Sequence, residues 1–457
     1  MLGVTKLLCS TSSTASALKS GRQSSNLPSR LLQFSSDKRP VVVWNITNRC
    51  NLHCLHCYSS SSDNISPDEL TTEEGLRLID DLSDYRVPVI IFSGGDPLMR
   101  ADLFTLAGYA FKKGIRCALS TNGLFIEGDT AKKIKDTGFS YVGVSLDGIG
   151  ETNDRFRGMK GAFEKGLSGL KKCQAEGITV GLRFNLNKRT MEHLVPLLDL
   201  IETEGIDRGY ISHLVYSGRG SNLRNEDLSH EETRRAVDYI FKRAEEFYAK
   251  GLNKEIVIGN NDADGVYLYL KVLERDPVKA RKVYELLALR GGNSSGVALG
   301  NIDSRGNVHA DQFWRHYSFG NVKQRKFREI WEDRSDPVMG GLKDRKALLK
   351  GRCGKCRFVD ICGGNYRVRA ESVYGDIWAP DPACYLTDEE IGLKSEVAYS
   401  MPLTPGDPSQ ALLTLPILDQ SLLSLFPPDQ TYSSPPPGTY PCNGPLHAFL
   451  VQLWDGG

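Results

Sequence analysis

Short apolar runs alternate with amphipathic stretches through the first half of the chain, a pattern typical of strands joined by helices. It predicts six strands, at residues 41–47, 87–93, 116–121, 141–146, 179–185 and 209–216. Helical spacing of apolar residues lies between them, at 72–85, 103–113 and 163–176. Six β/α units favour an α/β fold, a parallel sheet curved into a partial (β/α)6 TIM-like barrel. Functional groups of such folds lie at the carboxyl ends of the strands.

The pattern changes after the predicted barrel. Residues 221–291 have a charged, mainly helical pattern, and 296–299 with 307–310 form a predicted hairpin. Of the 21 prolines, 11 lie in residues 402–445, and no Lys or Arg follows Lys394. We therefore divide the chain into an N-terminal extension (1–38), the barrel (39–220), a helical connecting region (221–291), a second domain (292–398) and a proline-rich tail predicted to be disordered (399–457).

Composition narrows the class of protein. A formal charge of +1 on 457 residues gives no basic surface, so nucleic acid is not an expected partner. No apolar run approaches the roughly 20 residues that span a bilayer, so no membrane association is expected. Residues 1–36 lack acidic residues, as transit segments do, but contain few arginines and little amphipathic pattern. We interpret them as an extension and expect a cytoplasmic protein.

Three cysteines follow the first predicted strand, at Cys50, Cys54 and Cys57. Thiolates at this C-x3-C-x2-C spacing can bind three irons of a [4Fe–4S] cluster. The fourth iron is then open to a small molecule. A zinc site completed by His53 or His56 is the alternative.

A second set of cysteines lies near the end of the predicted second domain, at Cys353, Cys356, Cys362 and Cys384. Four thiolates complete the ligation of a cluster, and they also suit structural zinc. Seven of the 11 cysteines thus have ligand-like spacing, which favours metal binding over disulfides. Metal-binding thiols in turn imply a reducing, anoxic compartment.

Polar residues stand at the carboxyl ends of the later strands. Glycines permit close approach of a ligand, Asp accepts hydrogen bonds from an ammonium group, Ser and Asp suit a diol, and Arg suits a carboxylate. The residues in question are Gly94, Gly95, Asp96, Asn122, Ser145, Asp147, Arg183 and Asn185.

The first cysteine set and these strand ends, in this order, resemble the radical S-adenosylmethionine (SAM) enzymes. The resemblance implies that the open cluster binds SAM. It further implies that Gly94, Gly95 and Asp96 hold the methionyl amine, that Ser145 and Asp147 contact the ribose, and that Arg183 pairs with the carboxylate. Asn122 and Asn185 complete the expected SAM contacts. The family usually has Glu at the position of Asp96.

The second cysteine set resembles the SPASM/twitch domain, which carries auxiliary clusters in this family. A full domain has a further cysteine where this chain has Tyr366, and its earlier cysteine pair is absent here. The resemblance therefore implies one auxiliary [4Fe–4S] cluster and two clusters in all.

Several segments resemble the haem-biosynthesis branch of the family, among them 1–7, 213–220, 260–265 and 311–314. The branch implies removal of two acetate side chains from 12,18-didecarboxysiroheme, an iron tetrapyrrole, to give Fe-coproporphyrin III through a 5′-deoxyadenosyl radical. The alternatives to this function are removal of propionate side chains, modification of a peptide, or electron transfer without catalysis. An electron donor such as ferredoxin or flavodoxin and a monomeric state are expected.

A carboxylate-rich iron substrate calls for cations and an iron ligand. His213, Arg219 and His309 are the first candidates for these contacts. Further candidates are Arg315, His316, Arg367 and Arg369.

Overall fold

The apolar runs form the central sheet of this computed structural model, which describes residues 1–10, 38–64 and 66–393. The strands are β1 (Leu2–Gly3), β2 (Val41–Thr47), β3 (Val89–Gly94), β4 (Arg116–Thr121), β5 (Phe139–Ser145), β6 (Val180–Leu186), β7 (Arg208–His213), β8 (Glu255–Gly259), β9 (Leu299–Ile302), β10 (Asn307–His309) and β11 (Gly320–Asn321). β2 to β8 pair in parallel and in chain order. This arrangement confirms the predicted α/β fold with a partly open TIM-like barrel.

Helices follow most of the parallel strands. They are α1 (Val4–Cys9), α2 (Thr72–Asp84), α3 (Leu103–Lys112), α4 (Gly128–Thr137), α5 (Glu151–Arg157), α6 (Ala162–Ala175), α7 (Leu194–Thr203), α8 (His230–Ala249), α9 (Ala263–Arg275), α10 (Pro277–Arg290), α11 (Phe327–Glu332), α12 (Pro337–Lys343), α13 (Gly351–Gly354), α14 (Val359–Cys362) and α15 (Arg367–Tyr374). A capping box of Thr71 and Glu74 starts α2, which covers the helix predicted at 72–85.

Alternate residues of the strands divide between two environments. In β2, Val42, Trp44 and Ile46 are fully buried in the main apolar core. Asn45, between them, instead makes polar contacts with Tyr58 and Asn301. Because neighbouring side chains of a strand point to opposite faces, the polar positions share one face of the sheet.

The barrel strands β2 to β8 number seven among the described residues, one more than the sequence predicts. The additional strand, β8, lies inside the region 221–291 that we expected to be helical. Its apolar segment is Ile256, Val257 and Ile258, and so short a run does not distinguish a strand from a helix by periodicity.

The first residues of the chain, at the start of the predicted extension, pack against the barrel. β1 pairs antiparallel with β8, and Leu2 lies opposite Ile258. Val4 and Leu7 of α1 are completely buried. Residues 11–37 and the tail predicted at 399–457 lie outside the described residues.

The predicted second domain continues the sheet from its other side. β9 pairs in parallel with β2, and β10 turns back on β9 around Asp303–Gly306, as predicted. β9 starts three residues later than expected, at Leu299. Among the described residues, no helix is long and apolar enough to cross a membrane.

Candidate active site

The loop after β2 carries Cys50, Cys54 and Cys57. Burial raises the pKa of Cys50 to about 12 and that of Cys54 to about 11. Burial opposes ionisation of Cys57 as well, but hydrogen bonds from the Ser59 hydroxyl and the Ser61 backbone amide outweigh it and lower its pKa. The Cys57 Sγ to Ser59 Oγ distance is 3.3 Å. Iron ligation needs thiolates, and these hydrogen bonds favour the thiolate form of Cys57.

A buried ion pair lies beside this loop. Arg157, at the end of α5, contacts Asp147 with a Nη2–Oδ2 distance of 2.5 Å, and both side chains are almost inaccessible. Its other terminal nitrogen lies 3.9 Å from the Sγ of Cys54. The second Asp147 oxygen accepts the backbone N–H of Asn185. Arg157 therefore supplies positive charge where thiolates would gather.

We expect Arg157→Gln to lower the free energy of unfolding by about 3 kcal/mol, because it leaves the buried Asp147 carboxylate without its cation. Iron incorporation at the first cysteine set should fall as well. Urea denaturation and iron analysis after anaerobic reconstitution measure both effects. The double variant R157Q/D147N should be less destabilised than the sum of its single variants, whereas exposed Arg155→Gln should behave as wild type. Wild-type stability of R157Q would contradict this account.

Two glycines bring the end of β3 against the segment that precedes the cysteines. The N–H of Gly95 donates to the carbonyl of Thr47, and the N–H of Asp96 donates to the carbonyl of Arg49. A Cβ on Gly95 would stand 2.1 Å from the Arg49 carbonyl oxygen, and one on Gly94 would stand 2.4 Å from that of Thr47. The sequence predicts these glycines as ligand-approach positions, and the structure adds that they already hold the backbone of the cysteine loop.

We expect Gly95→Ala to displace the cysteine loop, because its Cβ has no space beside the Arg49 carbonyl. Overpacking of this kind costs about 1–3 kcal/mol, and reconstitution of the first cluster should largely fail. Iron content and the cluster absorbance of the variant provide the test. Gly128→Ala is the matched control, since a Cβ there meets nothing within 4 Å. Normal cluster assembly in G95A would refute this prediction.

Asp96 is completely buried at the end of β3. Its Oδ1 accepts the N–H of Leu98, and its Oδ2 accepts the Thr121 hydroxyl and the N–H of Asn122, at 2.8 Å each for the latter two. Asn122 in turn donates to Asn51 in the cysteine loop at 2.8 Å. The structure thus joins the ends of β3 and β4 to the loop.

The polar residues on β5 and β6 lie in neighbouring positions. Ser145 stands opposite Arg183 in the sheet register. Arg183 donates to Ser120 of β4, and its guanidinium carbon lies 5.1 Å from the ring centre of Tyr210. Asn185 contacts Ser212 of β7. The predicted SAM contacts from β4, β5 and β6 are therefore brought to one end of the sheet.

Arg219 supports the cysteine loop from the segment after β7. Its Nε donates to the carbonyl of Cys54 and its Nη1 to that of Ser61, both at 2.8 Å. Its backbone N–H donates to the carbonyl of Cys57 at 2.9 Å. The sequence predicts Arg219 as a substrate cation, but its side chain is already committed to the loop.

The two histidines predicted to contact substrate also have partners in the protein. His213 is buried, and its Nε2 lies 2.9 Å from Oδ2 of Asp264. His309 is buried between the carbonyl of Tyr317 and the carboxylate of Asp303. Both rings are enclosed because their strand ends are covered by neighbouring segments, which the strand pattern alone does not show.

Arg367 and Arg369 are committed in the same way. Arg367 donates to the carbonyls of Ile377 and Ala379, and Arg369 pairs with Asp381. The remaining two candidates, Arg315 and His316, line a cavity of about 500 Å³ beside Tyr58.

The second cysteine set surrounds one cavity. Cys353, Cys356, Cys362 and Cys384 all line it, together with apolar side chains such as Val266 and Leu386. Within the described part of the chain every cysteine is a free thiol. Among the described residues, no group of three or more His, Cys, Asp or Glu side chains is arranged to hold a single metal ion. Four thiols around one small apolar cavity fit the predicted auxiliary cluster.

Sequence reasoning missed two residues of this site. Arg157 belongs to no spacing motif, and only the fold brings α5 to Cys54. Tyr58 follows Cys57 directly, and its hydroxyl accepts from Asn45 at 2.9 Å. Its position next to the third cysteine was the available signal.

Comparison with known proteins agrees with this site. The model of the Radical SAM superfamily matches residues 44–201. The Fe-coproporphyrin III synthase of Methanosarcina barkeri is 57% identical over 86% of this chain and 99% of its own length. The pre-heme d1 synthase of Dinoroseobacter shibae is 46% identical over 79% of this chain and 89% of its own.

The fold is shared with solved structures. Streptococcus suis SuiB bound to S-adenosylmethionine matches with a TM-score of 0.60 at 17% identity, over 76% of this chain and 78% of SuiB. Radical SAM enzymes use SAM and a [4Fe–4S] cluster, and this chain is an enzyme of that type. The resemblance found in the sequence is confirmed: the chain belongs to the radical SAM superfamily, in its haem-biosynthesis branch.

Proposed function

We propose that this enzyme removes two acetate side chains from 12,18-didecarboxysiroheme and so forms Fe-coproporphyrin III. The observation that carries the proposal is the 57% identity to a protein named Fe-coproporphyrin III synthase, over 99% of that protein. The cavity beside the cysteine loop, lined by aromatic side chains and Arg315, supports a flat substrate that bears carboxylates.

Cys50, Cys54 and Cys57 would hold the SAM-binding [4Fe–4S] cluster. Cys353, Cys356, Cys362 and Cys384 would hold the auxiliary [4Fe–4S] cluster. When reduced and bound, the first cluster and SAM supply a 5′-deoxyadenosyl radical that takes hydrogen from a substrate side chain.

The protein's own residues position SAM at the ends of the strands. Arg183 presents a guanidinium fork for the SAM carboxylate, held in place by Ser120. Ser145 has no side-chain hydrogen bond within the described residues, so its hydroxyl is available for the ribose. Asp147 and Asn185 form the wall beside it through the hydrogen bond that joins them. Gly94, Gly95, Asp96 and Asn122 would shape the opposite wall, where the methionyl amine is expected.

Removal of propionates is the second candidate. It is favoured by the 46% identity to a pre-heme d1 synthase. Peptide modification has weaker support, because the mycofactocin maturase of Mycobacterium tuberculosis is only 28% identical.

The deciding experiment incubates anaerobically reconstituted enzyme with SAM, dithionite and 12,18-didecarboxysiroheme, and follows product mass and 5′-deoxyadenosine. We expect loss of two acetates and formation of Fe-coproporphyrin III. Loss of propionates would transfer the proposal to the second candidate, and an unchanged substrate would refute both. Cys54→Ala serves as the control that lacks the first cluster.

We further propose that a ferredoxin or flavodoxin reduces the enzyme in an anoxic cytoplasm, where it works as a monomer. The support is chemical, since an open [4Fe–4S] cluster needs a low-potential donor and is destroyed by oxygen. Turnover with a purified ferredoxin in place of dithionite, and the mass in solution, test this proposal.

A further inference from the structure

A cavity of about 500 Å³ lies between the cysteine loop and the C-terminal part of the chain. Tyr58, directly after Cys57, forms one wall, and Phe313, Arg315 and His316 form another. Tyr58 and Phe313 meet edge to face with ring centres 5.3 Å apart. The volume and the aromatic walls suit a flat organic ligand, and the position puts such a ligand next to the SAM-binding loop.

Arg315 carries an unused charge in this wall. Its Nη1 is buried and makes no hydrogen bond to any described residue. The other three arginines predicted to bind substrate donate to backbone carbonyls or to a carboxylate of the protein. Nη2 of Arg219 and Nε of Arg367 are also buried without an acceptor, but neither residue lines the cavity. A buried guanidinium nitrogen without an acceptor is costly, and a ligand carboxylate would satisfy it.

His316 has the arrangement of a histidine prepared for a metal. Its Nε2 lies 3.0 Å from Oε2 of Glu371, and the indole N–H of Trp314 donates to the same oxygen. Metal-binding histidines usually donate one ring N–H to a carboxylate, which orients the ring and leaves the other nitrogen for the metal. The Nδ1 of His316 has no partner among the described residues, and 56% of the side chain is exposed.

None of the other described histidines lines the cavity. His213 and His309 are enclosed and paired with carboxylates. His56 shares the pattern of His316, since its Nε2 lies 3.5 Å from Oδ2 of Asp147 and its Nδ1 has no partner, but that Nδ1 is buried. His193 accepts the N–H of Ile149, and His230 bonds the carbonyl of Pro382. His53 belongs to the cysteine loop and does not line the cavity.

We infer that the cavity is the substrate site, in which Nδ1 of His316 binds the iron of the tetrapyrrole and Arg315 pairs with one of its side-chain carboxylates. Glu371 is then a positioning residue that holds His316 through Nε2. This inference rests on the proposed function. It goes further by assigning the iron ligand and the anchoring cation.

The test uses two probes, ferric coproporphyrin III and metal-free coproporphyrin III, titrated into the reconstituted full-length enzyme. Wild type should bind the ferric probe with the absorbance and electron paramagnetic resonance signature of a nitrogen ligand. His316→Ala should lose that signature and bind the ferric probe about tenfold more weakly, with binding of the metal-free probe unchanged. Added 1-methylimidazole should restore the signature.

Arg315→Gln should weaken the binding of both probes by about tenfold, because both probes carry the same carboxylates. His230→Ala, an exposed histidine outside the cavity, is the matched control and should bind both probes as wild type does. Because His316 is largely exposed, its removal leaves the fold intact, and unchanged iron content verifies this.

An unchanged ferric signature and affinity in H316A would overturn the assignment of the iron ligand. If R315Q bound both probes as tightly as wild type does, the assignment of Arg315 as the carboxylate-binding residue would be overturned. The proposed function fails separately, if wild type gives these binding results but removes no acetate from 12,18-didecarboxysiroheme.

Discussion

Arg369→Gln is expected to lower the free energy of unfolding by about 3–5 kcal/mol, because it leaves a fully buried carboxylate unpaired. Arg369 and Asp381 both have no exposed side-chain surface, and Nε of Arg369 lies 2.8 Å from Oδ1 of Asp381. The same guanidinium donates to the carbonyls of Leu214 and Asn260 at 2.7 and 2.9 Å. It therefore joins α15 to the segments after β7 and β8.

Arg369→Gln should also impair binding of the auxiliary cluster by the second cysteine set. Asp381 accepts the backbone N–H of Tyr366 at 2.8 Å and lies three residues before Cys384. With two [4Fe–4S] clusters bound, iron should fall from about eight to about four atoms per chain in the variant, while SAM cleavage by the first cluster continues. Denaturation curves, iron analysis and 5′-deoxyadenosine release measure the three quantities.

Two controls distinguish the effect of leaving a buried charge unpaired from the effect of removing an arginine side chain. In R369Q/D381N both charges are gone, so the double variant should be more stable than R369Q alone. Arg328→Gln removes an arginine from the exposed pair with Glu332 and should not measurably change stability. If R369Q unfolds at the wild-type denaturant concentration and keeps all its iron, the buried pair does not hold this region together.

Arg219→Ala is expected to abolish assembly of the SAM-binding cluster and, with it, at least about 99% of SAM cleavage. The side chain is the donor to the carbonyls of Cys54 and Ser61, which lie on either side of Cys57. Hydrogen bonds from a charged donor contribute about 1.5–3 kcal/mol each, so the loop would lose its main support from the segment after β7. Iron content and the rate of 5′-deoxyadenosine formation without substrate report the effect.

Arg219→Lys is the matched variant for this test. It keeps the charge but cannot reach both carbonyls with a planar fork, so it should retain only part of the cluster. If Arg219 instead bound substrate, R219A would assemble a normal cluster, cleave SAM at the wild-type rate and show only a raised KM. These outcomes distinguish a residue that holds the loop from one that anchors a carboxylate.

The local pattern of apolar residues was sufficient to predict most strands of the barrel. Six of the seven strands from β2 to β8 lie within a few residues of their predicted positions, because a parallel strand covered on both faces is a nearly continuous apolar run. β8 was missed because its run is short, and β1 because two residues have no periodicity of their own. β8 forms through its parallel pairing with β7, and β1 through its pairing with β8, as in the alignment of Leu2 with Ile258.

Ligand spacing was equally informative for the cofactors. Cys50, Cys54 and Cys57 lie on one loop, so their separation along the chain limits their separation in space. The same holds for Cys353, Cys356 and Cys362. The SAM contacts remain predictions, although strand order alone brings their positions to one edge of the sheet.

By itself, then, the chain's order of residues determined the α/β architecture and the two thiol sets, because each depends on neighbours within a few dozen positions. The order of the motifs along residues 50–185 determined the superfamily. Only the tertiary structure decided which charged side chains are free. Arg219, Arg369 and His213 are used inside the protein, while Arg315 and His316 face a cavity. The physical reason is that a buried charge must find its partners wherever the folded backbone brings them, and those partners lie 51 residues away for His213 and 165 residues away for Arg219.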